Sequence, residues 1–354
     1  MIVVDAHEDI AYNALCFGRD YRRSALYTRQ LERGTEVPSV NGTATVGMPD
    51  ALLGRVALTF ATVFVAPQTK HTSPWDALSY GDAQQAYKLA SRQVDYYERL
   101  ADESELVRLV RDQSDLDTVL ATWTEGTELA DHRMGLVLLM ENADPILEPK
   151  QFEEWYERGV RIVGPAWAGT RYCGGTGQPG PLTDLGRELL EVMAGLNVIL
   201  DLSHMAEEAF FEALDRYEGQ IIASHSNPRR FRETDRHLSD AMIRRLAERD
   251  GVMGIVPYNA FLTNEWDRKK RLPFTIIADA IDYVCQLTGS AAHVAVGTDF
   301  DGGFGVESIP EGLDTVGDLW LIGGLLRERG FAEADIEAVL SGNMLRKLRA
   351  ALPG

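Results

Sequence analysis

"LNVILDLSHMAEEAFFEALDRYEGQIIASH", residues 196–225, is the stretch whose reading decides the fold. An apolar run closes on Asp201 and His204, and a second apolar run closes on His225. The two histidines are 21 residues apart, about one strand–helix–strand step. That spacing puts them on adjacent parallel strands, both at the strand ends.

The same unit recurs on either side. Upstream lie "MIVVDAH" (1–7), "VALTFATVFVA" (56–66), "MGLVLLME" (134–141) and "GVRIVGPAW" (159–167), and downstream lie "GVMGIVPY" (251–258) and "HVAVGTD" (293–299). Several of these runs are apolar on both faces, as parallel strands covered on both sides require. Helical patterns separate them: Thr183 caps one and Ser239 another, the second closed by Gly251. The segment from Tyr80 to about Thr122 reads as two helices broken near Asp102. Eight strands with intervening helices predict an α/β fold, a single-domain (β/α)8 barrel of the TIM type over residues 1–354. A doubly wound open sheet is the rival, but no G-x-G-x-x-G follows the first strand. Residues 18–54 and 171–181 read as loop excursions.

The 354 residues are 45% hydrophobic, enough for a large core, and carry a net charge of −19. No basic stripe is present to neutralise phosphates, which argues against nucleic acid and anionic membrane surfaces as partners. Three scattered cysteines (Cys16, Cys173, Cys285) lack both metal-finger spacing and a disulfide framework, so a reducing compartment is expected. The opening "MIVVDAHED" has no basic segment followed by a long apolar one, so neither signal peptide nor membrane span is expected. The chain reads as cytoplasmic.

Chemistry collects at the ends of the strand runs. His7 and Asp9 end the first, Glu141 the third, His204 and His225 the fifth and sixth, and Asp299 the last. In a barrel of this type those ends form one rim, so five separate segments deliver metal-type ligands to one place. Two imidazoles plus carboxylates suit zinc, and a shared carboxylate can hold two ions about 3.5–4 Å apart. Such a pair lowers the pKa of a bridging water, and a nearby carboxylate takes its proton. A lone strand-end histidine is ordinarily a hydrogen-bonded rim residue, and H-x-D by itself is weak. Three histidines and three acids placed jointly are much harder to obtain by accident. Asp5 and Asp201 read as supporting groups, and His71, His132, His237 and His293 as non-ligands.

These residues, together with "DAHED", "LDLSH", "ASHSNPR", "DRHLSDAMI", "GTDFDG" and the final "GLLRERGFAEADIEAVLSGNMLR", resemble the renal (membrane) dipeptidase family of zinc peptidases. The resemblance implies two Zn2+, with His7 and Asp9 on one, His204 and His225 on the other and Glu141 bridging; manganese or cobalt could take the same donors. It implies Asp299 as the acid–base residue and Arg236 as the holder of the substrate's C-terminal carboxylate, a task suited to a planar guanidinium. Without the resemblance, Arg236 reads as a surface charge at a helix start. It implies a dipeptide or similar small amide as the substrate, and a homo-oligomer as the assembly.

Two positions depart from the family. Trp167 stands where the family commonly has a histidine that stabilises the oxyanion, and an indole donates a hydrogen bond without carrying a charge. Trp167 thus becomes a substrate-pocket residue. After Glu141 comes "NAD", where the family usually has a glycine. The alternatives are an amidohydrolase of a non-dipeptide substrate, such as an N-acyl amino acid, and a metal-bearing barrel without catalysis. A relative that bridges its metals through a carboxylated lysine is disfavoured, because no strand run contains a lysine.

Overall fold

The computed structural model describes residues 1–68 and 77–354, so the reading of His71 lies outside the described residues. Eight parallel strands pair in chain order: β1 Val3–Glu8, β2 Val56–Phe64, β3 Met134–Glu141, β4 Val160–Gly164, β5 Ile199–Asp201, β6 Ile221–Ala223, β7 Val252–Ile255 and β8 Val294–Val296. Every strand residue in this set is buried, which is why the runs read apolar on both faces.

The seam between β8 and β1 is joined chiefly by a side chain. Asp5 accepts the Thr298 N–H (2.8 Å) and its hydroxyl (2.6 Å), and the Asp299 N–H reaches the His7 carbonyl (3.0 Å). The strands here twist apart, and a carboxylate can span a gap that the backbone ladder leaves.

A helix follows each strand: α1 Ile10–Phe17, α2 Ala83–Glu103, α3 Phe152–Glu157, α4 Asp184–Gly195, α5 Glu207–Arg216, α6 Asp240–Glu248, α7 Thr275–Thr288 and α8 Leu321–Glu328, with α9 Asn343–Ala351 closing the chain. Thr183 and Ser239 cap α4 and α6 through Gly186 N–H and Met242 N–H, as their types predict. The end of α6 differs from expectation. Asp250, not Gly251, takes the left-handed conformation (φ 55°), with Asp250 N–H on Ala247 and Gly251 N–H on Leu246. Lys347 of α9 pairs with the Asp250 carboxylate (2.7 Å), which favours an acid at that corner.

Three further segments are more ordered than their sequences suggest. The break after α2 falls at Ser104, and a short strand Val107–Leu109 pairs with β3 before a helix at Gln113–Ala121. Residues 18–54 hold three short helices, Ala25–Leu31, Val37–Asn41 and Met48–Leu53. This segment ties into the barrel rim: Arg19 meets Asp301 (3.1 Å), and Thr45 donates to Asp301 from both N–H and hydroxyl. Residues 171–181 fall within an antiparallel hairpin of Cys173–Gly175 with Gln178–Leu182. Among the described residues, Cys173 and Cys285 are free thiols, and no helix is long and apolar enough to cross a membrane.

One contact anchors the rim where β1 stops pairing with β2 at Ala61. Beyond that point the open edge of β2 is taken up by α2. Tyr97 donates to the Thr62 carbonyl, and Gln93 both accepts the Phe64 N–H (3.0 Å) and donates to its carbonyl. Replacing Gln93 by leucine keeps the volume and strands two buried backbone groups. Denaturant melts should show a loss of roughly 2–4 kcal/mol, whereas an unchanged midpoint would mean that water or a shifted neighbour satisfies them.

Candidate active site

All six strand-end residues meet at the C-terminal rim. Glu141, ending β3, lies at the centre. Its Oε1 faces Nε2 of His204 (3.2 Å) and of His225 (3.3 Å), and its Oε2 faces Nε2 of His7 (3.4 Å). Two triads of potential ligands share it: His7, Asp9 and Glu141, and Glu141, His204 and His225. A third set, His7, His225 and Asp299, overlaps them, with Asp299 Oδ1 3.8 Å from His7 Nε2. His204 and Asp299 both have positive φ (65° and 56°), a backbone cost that turns each side chain inward. Asn142 also has positive φ (77°), which explains the departure after Glu141. The position needs a left-handed residue, and asparagine is the type besides glycine that tolerates it. Its amide then holds the Val65 carbonyl, and its oxygen takes the Asp144 N–H.

The hydrogen bonds behind the imidazoles decide which nitrogens are available. Ser224 gives its hydroxyl proton to Asp201 (2.5 Å), whose other oxygen takes the Ser203 and Ser224 N–H groups. Ser224 Oγ can then only accept, from Nδ1–H of His225 (2.8 Å) and of His7 (3.3 Å). Thr176, on the hairpin, stands likewise at Nδ1 of His204 (3.0 Å). Nε2 of each of the three imidazoles therefore faces Glu141. Nε2 of His204 and His225 stand 3.1 Å apart, and buried Nε2 of His7 has no hydrogen-bond partner. Asp9 is steadied by the Thr62 hydroxyl. Sequence reading missed Ser224, Thr62 and Thr176; only Ser224, beside His225 in "ASHSN", gave any signal. Gly254 and Gly297 make room beneath this relay, since a Cβ on either would lie 1.9 Å from the Ser224 carbonyl.

Electrostatics makes the cluster costly on its own. Burial, with Glu141 nearby, pushes Asp9 up to about 6, and burial holds Asp299 well above the usual carboxylate range. Burial and Arg236 bring His204 down to about 4, and burial, His7 and Arg236 hold His225 well below the usual imidazole range. His7 goes the other way: burial opposes its charge, but Glu141, Asp299 and Asp9 push it up to about 9. Glu141 stays ionised against its own burial because imidazoles face it. Divalent cations would resolve the conflict, favouring neutral imidazoles and ionised carboxylates together. The orphaned Nε2 of His7 and the mixed N/O donors fit such cations.

Above the cluster opens a cavity of about 640 Å3. Tyr12, Phe64 and Trp167 line it from one group of strand ends. Trp167 lies edge-on to Phe64 (5.3 Å between centroids) and 6.2 Å from the His204 ring. Arg236 also lines it, 7% exposed, with Nη2 on the His225 carbonyl (2.8 Å) and its guanidinium over Phe261. The alternative of a surface charge is thereby excluded. Among the non-ligand histidines, His132 and His293 lie away from the rim, stacked on Trp123 and bonded to the Gly251 carbonyl, while His237 lines the cavity wall.

The sequence profile of the membrane dipeptidase family (peptidase family M19) matches residues 1–352. An uncharacterised Klebsiella pneumoniae protein from the pqqA 5′ region is 33% identical over 211 residues, covering 57% of this chain and 76% of that one. Dipeptidase tcpJ of Claviceps purpurea is 27% identical over 170 residues, 48% of this chain and 38% of its own length. The fold matches a Rhodobacter sphaeroides metallopeptidase, solved with a phosphinate mimic of the dipeptide L-Ala-D-Ala, at a TM-score of 0.79 and 21% identity over 99% of both chains. It matches the probable dipeptidase PvdM of Pseudomonas aeruginosa at 0.79 and 19% identity, over 99% of this chain and 95% of that one. A family match that runs from the first residue almost to the last means that the chain belongs to the membrane dipeptidase family of metal-dependent peptidases.

Proposed function

We propose that the protein is a binuclear zinc hydrolase that cleaves the amide bond of a dipeptide. The observation that carries this reading is the shared carboxylate: Glu141 turns one oxygen to His204 and His225 and the other to His7. His7 and Asp9 would hold one ion, His204 and His225 the other, and Glu141 both. When bound, the pair would activate the attacking water and polarise the scissile carbonyl.

The rest of the work falls to the chain's own groups. Arg236 is already fixed by the His225 carbonyl, so its guanidinium is oriented before a substrate carboxylate arrives. Asp299 faces the same cavity, and we assign it the proton of the attacking water, which it would pass to the leaving amine. Trp167 and Phe64, packed edge to face in the cavity lining, would receive an apolar part of the substrate. The free thiols of Cys173 and Cys285 agree with a reducing, cytoplasmic setting. A second reading, hydrolysis of an N-acyl amino acid or other small amide, draws on Trp167, which offers the oxyanion an N–H without a charge.

Two variants test these roles. Ser224→Ala removes the acceptor that keeps Nδ1 of His225 and His7 protonated. Zinc affinity, measured by competition with a chelator, should fall about 10- to 100-fold in a folded protein, and unchanged affinity would show that the relay does not set the tautomers. Asp299→Ala should lower kcat on a dipeptide by about 100- to 10,000-fold while metal analysis still finds two ions per chain. Loss of one ion in that variant would make Asp299 a ligand instead. A panel of L,L-dipeptides, L,D-dipeptides and N-acyl amino acids decides between the two substrate readings; turnover confined to the acylated compounds would sink the first.

A further inference from the structure

The cavity has two chemically different walls. One is aromatic, from the ends of the early strands. The other is basic: Arg232 and Arg236 come from the loop between β6 and α6, and Arg268 from the loop after β7. The two loops touch where Arg232 Nη1 donates to the Asn264 carbonyl (3.4 Å). Among the described residues, none of these three arginines is in an ion pair. Outside the strand-end cluster the one carboxylate lining the cavity is Asp235, among the described residues, and its Oδ2 is occupied by the Gly177 N–H (2.7 Å). Tyr258 stands between the basic wall and the reaction centre. Burial pushes its phenol up, with Asp299 adding to the rise, while Arg268 and Arg232 act against it. Both guanidiniums line the same cavity as Tyr258 and Asp299.

One of the three cations is committed to the terminal carboxylate of a dipeptide. The other two face a cavity whose metal-side acids would be neutralised by bound cations. We infer that the preferred substrates carry a second carboxylate, on the side chain of the C-terminal residue, received by Arg232 and Arg268. This rests on the dipeptidase reading and on Arg236 as the anchor of the terminal carboxylate. The placement on the C-terminal residue follows from proximity: Arg232 lies four residues before Arg236 on the same loop, and that loop touches the one carrying Arg268 through Asn264. Arg232 is half-buried and Arg268 exposed, which makes their contribution to binding modest and sensitive to salt.

The test uses the zinc-loaded full chain and isosteric substrate pairs, Leu-Asp against Leu-Asn and Leu-Glu against Leu-Gln, each with an L- and a D-configured second residue. The acid should exceed its amide about five- to tenfold in kcat/KM, mainly through KM, and the ratio should narrow as salt rises. Arg232→Gln and Arg268→Gln should each reduce the ratio, and the double variant should bring it to about one, whereas Arg232→Lys keeps part of it. Brisk cleavage with no preference for the acid would overturn the inference and leave the dipeptidase reading standing. No cleavage of any dipeptide by the zinc-loaded protein would overturn both.

Discussion

Burying Asp9, Glu141 and Asp299 around three imidazoles on one barrel rim is the constraint on which the rest of the structure depends. Carboxylates this close and this dry cannot all be ionised without cations, as the upward displacement of Asp9 and Asp299 shows. A fold can maintain such a cluster only if the side chains cannot swing away from each other. The barrel meets that need by attaching the six to five strand ends and fixing four of them from behind: Asp9 by Thr62, His225 and His7 by Ser224, and His204 by Thr176.

The supports form a second ring, and its central pair is as deeply buried as His7 and His225. Asp201 and Ser224 lie at 1% and 0% exposure. Asp5 joins β8 to β1 by the same device, a carboxylate taking a backbone N–H and a hydroxyl at once. Asp301 repeats it with Thr45, which draws residues 18–54 over the rim, and Arg19 neutralises its other oxygen. One chemical motif thus closes the barrel, sets the histidine tautomers and fastens the covering segment. The like charges of the centre are tolerated because the surrounding acids are spent on donors rather than left to repel.

The strands and the six rim residues were legible in the sequence because both obey simple periods. Buried parallel strands are short apolar runs, and the residue that ends each run faces the rim. The left-handed turns at His204 and Asp299 were not legible, since neither residue type announces positive φ; Asn142, by contrast, did depart from a glycine for a readable reason. Ser224, Thr62 and Thr176 carry no periodicity at all, and serine or threonine beside a histidine is ordinary. The helices in residues 18–54 escaped notice because they are five to seven residues long, held by contacts such as Arg19–Asp301 rather than by an amphipathic stripe.

The division between barrel and loops also divides the chemistry. Everything that would fix a cation or a proton comes from strand ends and their buried supports, where position is set to within the rigidity of the sheet. The groups that would distinguish one substrate from another come from elsewhere: Trp167 from the turn after β4, Arg232 and Arg236 from the loop before α6, and Arg268 from the loop after β7. A charge change on those loops leaves the sheet untouched, so selectivity can shift without disturbing the reacting groups. Trp167 is the informative boundary case. It occupies a strand-end position in sequence, yet its ring packs on Phe64 and opens onto the cavity, so it belongs with the selective wall. A neutral, bulky indole and three guanidiniums lining one cavity give it an apolar and a cationic part, an asymmetry that would orient a small amide carrying a carboxylate.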